Sequence, residues 1–387
     1  MTNNPLSTER FQQIVDALLD DDAEFPIVYF PSFSDLSEEN LNLLQSVWNQ
    51  ITPHRKVNLF EHLEVLYESD TLMDLEAIAL LALDDSNSVV RTNAIRILWD
   101  FSNYKLIPRF IKMMQEDIDL NVRAQAANAL GKFIYLGELE EIRPDDLHLV
   151  EENLLAVLQS AEHELVRMKA LEALGFSSRS EVPAFITNAF QSGSYNWIAA
   201  ALFSMGRSAD DEKWGSDVLS MLAHPDIRIQ REAVRAAGEL ELKSARKLLL
   251  TWIKEHDAED DIWTESIWAL SKIGGEKLVE VFEKLLEEAD TEEEQEFLQD
   301  AIDNLYLTNG ILKDFEMLAL DDPTNLPLRE YLLQNETIDL EEEAPSWVED
   351  LEEKLAAQVY DDDEDESEND DFKDEDDLNL SDLEDEE

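Results

Sequence analysis

The sequence predicts an all-α protein, a right-handed α-solenoid of about eight antiparallel helix pairs, and three observations point there. An apolar pattern of helical period recurs along the chain at intervals of about 30 to 45 residues. Gly and Pro number only 10 and 11 in 387 residues, too few for a turn-rich all-β architecture. Hydrophobic residues make up 44% of the chain, enough to build a packed core.

The repeat is plainest at Val122, Arg123, Ala126, Leu130 and Gly131. The same order returns as Val90, Arg91, Ala94 and Leu98, and as Val166, Arg167, Ala170, Leu174 and Gly175. Weaker copies begin at Trp197, Ile229, Ile262 and Phe297, and the Leu position falls at 98, 130, 174, 205, 237, 270 and 305. Each copy is a helix apolar at its first, fifth and ninth positions, and each follows another amphipathic stretch, such as Leu106 to Met114 or Leu147 to Leu158. Seven pairs follow, filling residues 71–320.

Ahead of them, Phe11, Ile14, Val15 and Leu18 mark one helix, and Leu41 to Ile51 with Val57 to Leu66 mark a pair without the pattern. Residues 1–70 therefore read as an N-terminal cap, atypical because one face has no neighbour. Thr52 before Pro53 is a cap followed by proline at the first helical position. The apolar run Phe25 to Pro31, bracketed by prolines, is expected to be an extended connection on the cap. The longer spacing between the second and third copies places a surface loop over Tyr135 to His148. Gly131, Gly175, Gly206 and Gly238, near the ends of second helices, are expected to be left-handed C-caps. Residues 321–360 read as a C-terminal helical cap or linker. In 361–387, 18 Asp or Glu face the single Lys373, a local charge of −17, and this segment reads as a disordered acidic tail.

These second helices resemble HEAT repeats, in the short form also called phycobilisome-lyase-like and of a bacterial type; the resemblance rests on Asp-x-x-Val-Arg-x-x-Ala-x-x-Ala-Leu-Gly over roughly residues 71 to 306. It implies an Asp and Arg ladder of charge-assisted hydrogen bonds between neighbouring repeats. Arg91, Arg123 and Arg167 are its Arg positions, with Asp84 or Asp85 for Arg91 and Asp117 or Asp119 for Arg123. Ile198, Gln230, Trp263 and Leu298 fill the same column later, so the ladder is expected in the first three copies only.

Charge narrows the function classes. With 90 Asp and Glu against 30 Lys and Arg, the net charge is −60, so no counterion-release term favours nucleic acid, and anionic membrane is no better a partner. The absence of Cys excludes thiolate chemistry and disulfides. The HEAT-class hydroxylase architecture needs repeated His-Glu pairs, and only His163-Glu164 occurs; His163 reads as a turn residue. Asp361, Asp363 and Asp365 begin an EF-hand-like spacing that fails at Glu366 and Phe372. No cofactor, metal or catalytic residue is expected.

The seventh position of successive second helices reads Arg96, Asn128, Glu172, Phe203, Arg235, Trp268 and Asp303. Phe203, Arg235 and Trp268, with Arg231 and Trp263 beside them, are candidate partner-binding residues, because aromatic residues and Arg dominate interface hot spots. The surrounding run from Arg228 to Lys247 is the densest basic stretch, and the acidic tail is expected to reach it. The expected function is a non-enzymatic, monomeric, cytoplasmic scaffold that binds a protein or peptide on its concave face, its acidic surroundings selecting basic partners. Two alternatives stand: an acidic chaperone-like binder of a basic client, and a lyase or hydroxylase subunit of the HEAT type.

Overall fold

Helix starts are set by side chains that satisfy the orphan backbone N–H groups of the first turn. In the computed structural model, which describes residues 8–69, 72–256, 258, 260–289 and 291–321, the chain is helical throughout and contains no strand among those residues. The N-terminal unit comprises α1 (Thr8–Leu19), α2 (Glu38–Val47) and α3 (Pro53–Ser69). Seven pairs follow: α4 (Glu76–Ala82) with α5 (Ser88–Ile97), α6 (Leu106–Glu116) with α7 (Leu120–Glu138), and α8 (Pro144–Gln159) with α9 (Glu164–Leu174). Then come α10 (Val182–Phe190) with α11 (Tyr195–Arg207), α12 (Asp211–Ser220) with α13 (Ile227–Glu239), α14 (Arg246–Glu255) with α15 (Asp261–Ile273), and α16 (Glu276–Glu288) with α17 (Glu292–Asp321). The C-terminal cap or linker expected from residue 321 lies, after its first residue, outside the described residues, as does the acidic tail.

Second helices carry the caps. Asn87, Asp119, Asp226 and Asp260 accept backbone N–H bonds at the starts of α5, α7, α13 and α15. His163 caps α9 through Nδ1, which accepts from Leu165 N at 3.2 Å, so its ring is occupied in a turn. Thr52 caps α3 as its sequence position suggests, accepting from Arg55 N at 3.4 Å.

Each second helix packs on its own first helix and on the second helices before and after it, and α3 supplies the same surface to α5. The column of first, fifth and ninth positions is the reason: Val90, Ala94 and Leu98, Val122, Ala126 and Leu130, and their later counterparts are buried, apart from the half-buried Trp197 and Phe297. Small residues permit the close spacing. A Cβ on Gly175 would lie 2.8 Å from Ser204 Cα, and one on Gly238 would lie 2.7 Å from Ala269 Cα. These glycines are not left-handed caps. Gly131, Gly175, Gly206 and Gly238 are absent from the positive-φ residues, whereas Glu140, Ala209, Glu241 and Gly274 are the positive-φ residues just beyond α7, α11, α13 and α15. The second helices thus form a continuous, tightly packed row along the stack.

Two further expectations change. Residues 25–31 are not extended: Ile27–Phe33 forms a 3-10 helix whose Phe30 and Phe33 are buried, with Phe30 stacked on His62 at 4.5 Å. Burial of aromatic surface drives that compaction. The longer spacing after the second copy is absorbed by long helices, because Phe133, Ile134 and Leu136 extend the apolar face of α7 to Glu138 and Pro144 starts α8, leaving only residues 139–143 between them.

In α15 the column carries Ser266 where the other repeats carry Ala, and its buried Oγ has no hydrogen-bond partner among the described residues. Ser266→Ala is therefore expected to stabilise the fold by about 1 kcal/mol, because it removes an unsatisfied hydroxyl. A lower midpoint in a urea titration would contradict that assignment.

Candidate functional site

The ladder exists with a register the sequence did not reveal. Arg91 donates from Nε and Nη2 to Asp117 of the next repeat, at 2.9 and 2.6 Å, while its Nη1 bonds the carbonyls of Asp85 and Ser86 in its own turn. Arg123 repeats this in part: Nη2 donates to Glu162 at 3.1 Å and Nη1 to the carbonyls of Asp117 and Ile118, while Nε has no partner among the described residues. Asp117 thus serves Arg91, and Asp85 serves Lys56 of α3 at 2.6 Å, which places the first rung one unit earlier than expected. Arg167 has no carboxylate partner among the described residues. It bonds Leu158 O and lies 5.4 Å from the ring centre of Trp197, so the ladder ends there in a cation–π contact. Gln230 keeps only the half of the pattern internal to its repeat, donating to Leu222 O.

On the inner face, α9, α11 and α13 enclose a cleft of about 270 Å³. Leu165, Met168, Ala199, Ala200 and Phe203 form its apolar part; Lys169, Glu172, Glu232 and Arg235 its charged part. Lys169 pairs with Glu172 at 2.6 Å. Arg235 pairs with Glu232 at 3.1 Å and makes a shorter contact with Glu265 of the next repeat, while Arg231 bonds Asp261 at 2.5 Å. Phe203 is half-buried, flanked by the guanidinium groups of Arg207 and Arg235 at 4.3 and 5.9 Å.

Arg207 joins neighbouring repeats. Its guanidinium also lies against Phe176 at 4.6 Å and Trp99 at 5.6 Å, and its Nη1 bonds Glu172 O at 2.9 Å. Groups from the ends of α5, α9 and α11 therefore meet on one side chain. Burial pushes its pKa down to about 10, against Glu172 and Glu239, which leaves it charged at neutral pH.

The predicted site residues separate into two groups. Phe203, Arg231 and Arg235 lie together at the cleft or on the ion pairs beside it. Trp263 does not: it is 4% exposed and packs against Phe297 at 6.1 Å, filling the space between α15 and α17 that an ion pair fills earlier. It is core, and no partner reaches it. Trp268 is half-buried on the core, with Lys272 Nζ 5.8 Å from its ring centre. The arginines of the basic run do not form an open cationic patch either. Arg228 pairs with Asp226 at 2.6 Å, Arg231 and Arg235 are paired as above, and burial lowers the pKa of Arg246, whose Nη2 reaches Ile273 O at 3.5 Å. The arginines of the run are thus paired or half-buried, while Lys243 and Lys247 are exposed without an acidic partner among the described residues.

The sequence reading missed Lys169, Glu232 and Glu265, although they form a column of their own. They occupy the fourth positions, three residues before the seventh, and both columns face inward.

Two carboxyls give a pH signature. Burial raises Glu232, opposed by Arg235 and reinforced by Glu172 and Glu265; burial likewise raises Glu151, opposed by Ser177 and Arg179. A carboxyl raised in the fold stabilises it fully below the ordinary carboxylate range, and that contribution is lost as pH rises through the raised value. Asp226, held down at about 2 by Arg228, behaves oppositely and loses its contribution only as pH falls through that value. The melting temperature is expected to rise as pH falls from neutral toward the ordinary carboxylate range. The double variant Glu151→Gln, Glu232→Gln should flatten that rise; an unchanged slope would assign it to general charge repulsion instead.

Stacked helix pairs with a tight inner row, an inter-repeat ladder and an inner cleft define a HEAT-type α-solenoid. The family model for HEAT repeats matches residues 75–147 and 216–302, and the chain carries HEAT repeats in those two regions. No curated protein matches it. Among solved structures it is similar to a chain of the complex of CpcE and CpcF of phycocyanin lyase from Nostoc sp. PCC7120, at 15% identity and a TM-score of 0.44, over 74% of this chain and 97% of that one. It is also similar to YibA of E. coli, at 16% identity and a TM-score of 0.36, over 74% of this chain and 98% of that one. Importin beta matches at 13% identity and a TM-score of 0.36, over 81% of this chain and 49% of that one. Among the described residues no helix is long and apolar enough to cross a membrane, and no group of three His, Asp or Glu is placed to hold a metal ion.

Proposed function

We propose that the chain is a non-enzymatic scaffold whose inner face holds a segment of a protein partner at the cleft between α9, α11 and α13. The observation that carries this reading is the cleft itself. A half-buried Phe203 stands on an apolar floor, with paired charges of both signs on either side. Such a surface offers a small apolar anchor point within a polar rim, the anatomy of a recognition site. The ion pairs hold their side chains in place before binding, which lowers the ordering cost.

The test is affinity capture from native lysate, comparing the full chain with Ala199→Arg. That substitution fills the cleft from a half-buried position and removes no ion pair. Loss of salt-resistant partners, with the melting temperature kept, is the expected result. An unchanged partner set would sink the reading, and capture that is salt-labile but indifferent to Ala199→Arg would transfer function to the acidic surface.

A further inference from the structure

The first helices leave an apolar stripe uncovered at the N-terminal end. In α4, Ile78, Ala79 and Ala82 are buried, yet Ala77, Leu80 and Leu81 on another face are only half-buried, with Glu76 and Asp84 at the ends of the same stripe. A helix apolar on nearly all sides is normally covered on all sides. Facing it, α2 and the turn after it bring Leu41, Gln45 and Trp48, about one helical turn apart, to the opposite wall. Between the walls runs a groove of about 720 Å³.

Its floor is stiff and its rim acidic. Trp48 is 5% exposed; its Nε1 donates to Asp85 at 2.8 Å, and Lys56 Nζ stands 4.8 Å from its ring centre. Around the groove stand Asp35, Asp74, Glu76 and Asp84. Asp84 pairs with Arg109 at 2.7 Å and Glu76 accepts from Asn103 at 2.6 Å, whereas Asp35 and Asp74 have no cationic partner among the described residues.

We propose that this groove docks a basic amphipathic helix of a partner protein, its apolar stripe laid between α2 and α4 and its Lys or Arg flank against Asp35, Asp74 and Glu76. Residues 77, 80, 81 and 84 on one wall and 41, 45 and 48 on the other are spaced as helix-packing ridges, the surface that receives an i, i+3, i+4 stripe. The charge selects the occupant. A second copy of a chain of charge −60 is repelled, as is the chain's own segment 361–387 at −17, while a basic helix is both attracted and paired. The groove lies on first helices, so this docking is independent of the inner cleft.

The probe is a fluorescein-labelled Leu/Lys peptide of about 18 residues, roughly five helical turns, with a Leu/Glu peptide of the same spacing as control. Anisotropy is read on the full chain at about 0.15 M salt, where the screening length is about 8 Å. The Leu/Lys peptide should bind and the Leu/Glu peptide should not. Gln45→Arg and Ala77→Arg should each weaken binding by roughly tenfold or more, with melting temperatures unchanged. Ala199→Arg, the same change of charge in the inner cleft, should leave it intact, which removes nonspecific attraction of a polycation as the explanation. Equal affinity for all three variants, or a loss confined to Ala199→Arg, overturns the proposal. Gln45 is exposed, so folding failure does not obscure its result.

Discussion

Asp85→Ala is expected to destabilise the protein by about 3–5 kcal/mol, because it strands a buried ammonium group. Lys56 and Asp85 are 4% and 5% exposed and 2.6 Å apart, and Asp85 also accepts from Trp48 Nε1. Removing the carboxylate leaves Lys56 Nζ without its counter-ion and Trp48 without its acceptor at the junction of the N-terminal unit with the first repeat. The double variant Lys56→Met, Asp85→Leu should recover much of the loss, since no buried charge then remains uncompensated. Urea unfolding of the wild type, Asp85→Ala and the double variant measures this directly. A loss below about 1 kcal/mol for Asp85→Ala would mean that the pair behaves as a surface ion pair.

Gly238→Ala is expected to cost about 1–3 kcal/mol, by forcing α13 and α15 apart. The added Cβ would lie 2.7 Å from Ala269 Cα and 2.9 Å from Ala269 Cβ, and a backbone atom cannot swing away as a side-chain end can. Gly238→Asn separates this cause from a capping role. Asn is tolerated at a left-handed cap but is larger than Ala at a close contact, so it should cost more than Ala here. Gly310→Ala is the opposite control: it lies in α17, its added Cβ meets no atom of another described element within 4 Å, and it should gain up to about 1 kcal/mol from helix propensity. Thermal melts of the three variants decide it; equal effects at Gly238 and Gly310 would show that the inner row is not tightly packed.

The fold was legible because its signal is periodic. Val90, Val122 and Val166 with their fifth and ninth partners repeat a helical face many times over, and repetition averages out the irregular copies. His163 was read as a turn residue, and it caps α9. The acidic partners in the ladder were not legible: Asp85 and Asp117 sit near Arg91 in the chain or in the next copy, and only the distance between repeats shows which pairs with which. The four inner glycines were read as caps because a glycine near a helix end has two physical uses, backbone freedom and absence of a side chain. Sequence carries no mark that separates them.

The candidate site divides along the same line. Its columns can be counted along the chain, which is why the sequence singles out Phe203, Arg231 and Arg235, and the structure places them near one another. Whether a column position faces the cleft or the next helix depends on how the helix is rotated against its neighbours, which is why Trp263 proved to be core. The net charge likewise says nothing of local pairing: the basic run looked open until Asp226, Glu232, Asp261 and Glu265 were placed beside it. By itself the sequence determined the helix-pair repeat and its acidity, because these follow from local propensity and composition. The tertiary structure alone decided the ladder's register, the close contacts of the inner row, the convergence on Arg207 and the uncovered groove between α2 and α4. Each of these depends on distances between residues about 30 or more apart in the chain, and those distances exist only once the repeats have stacked.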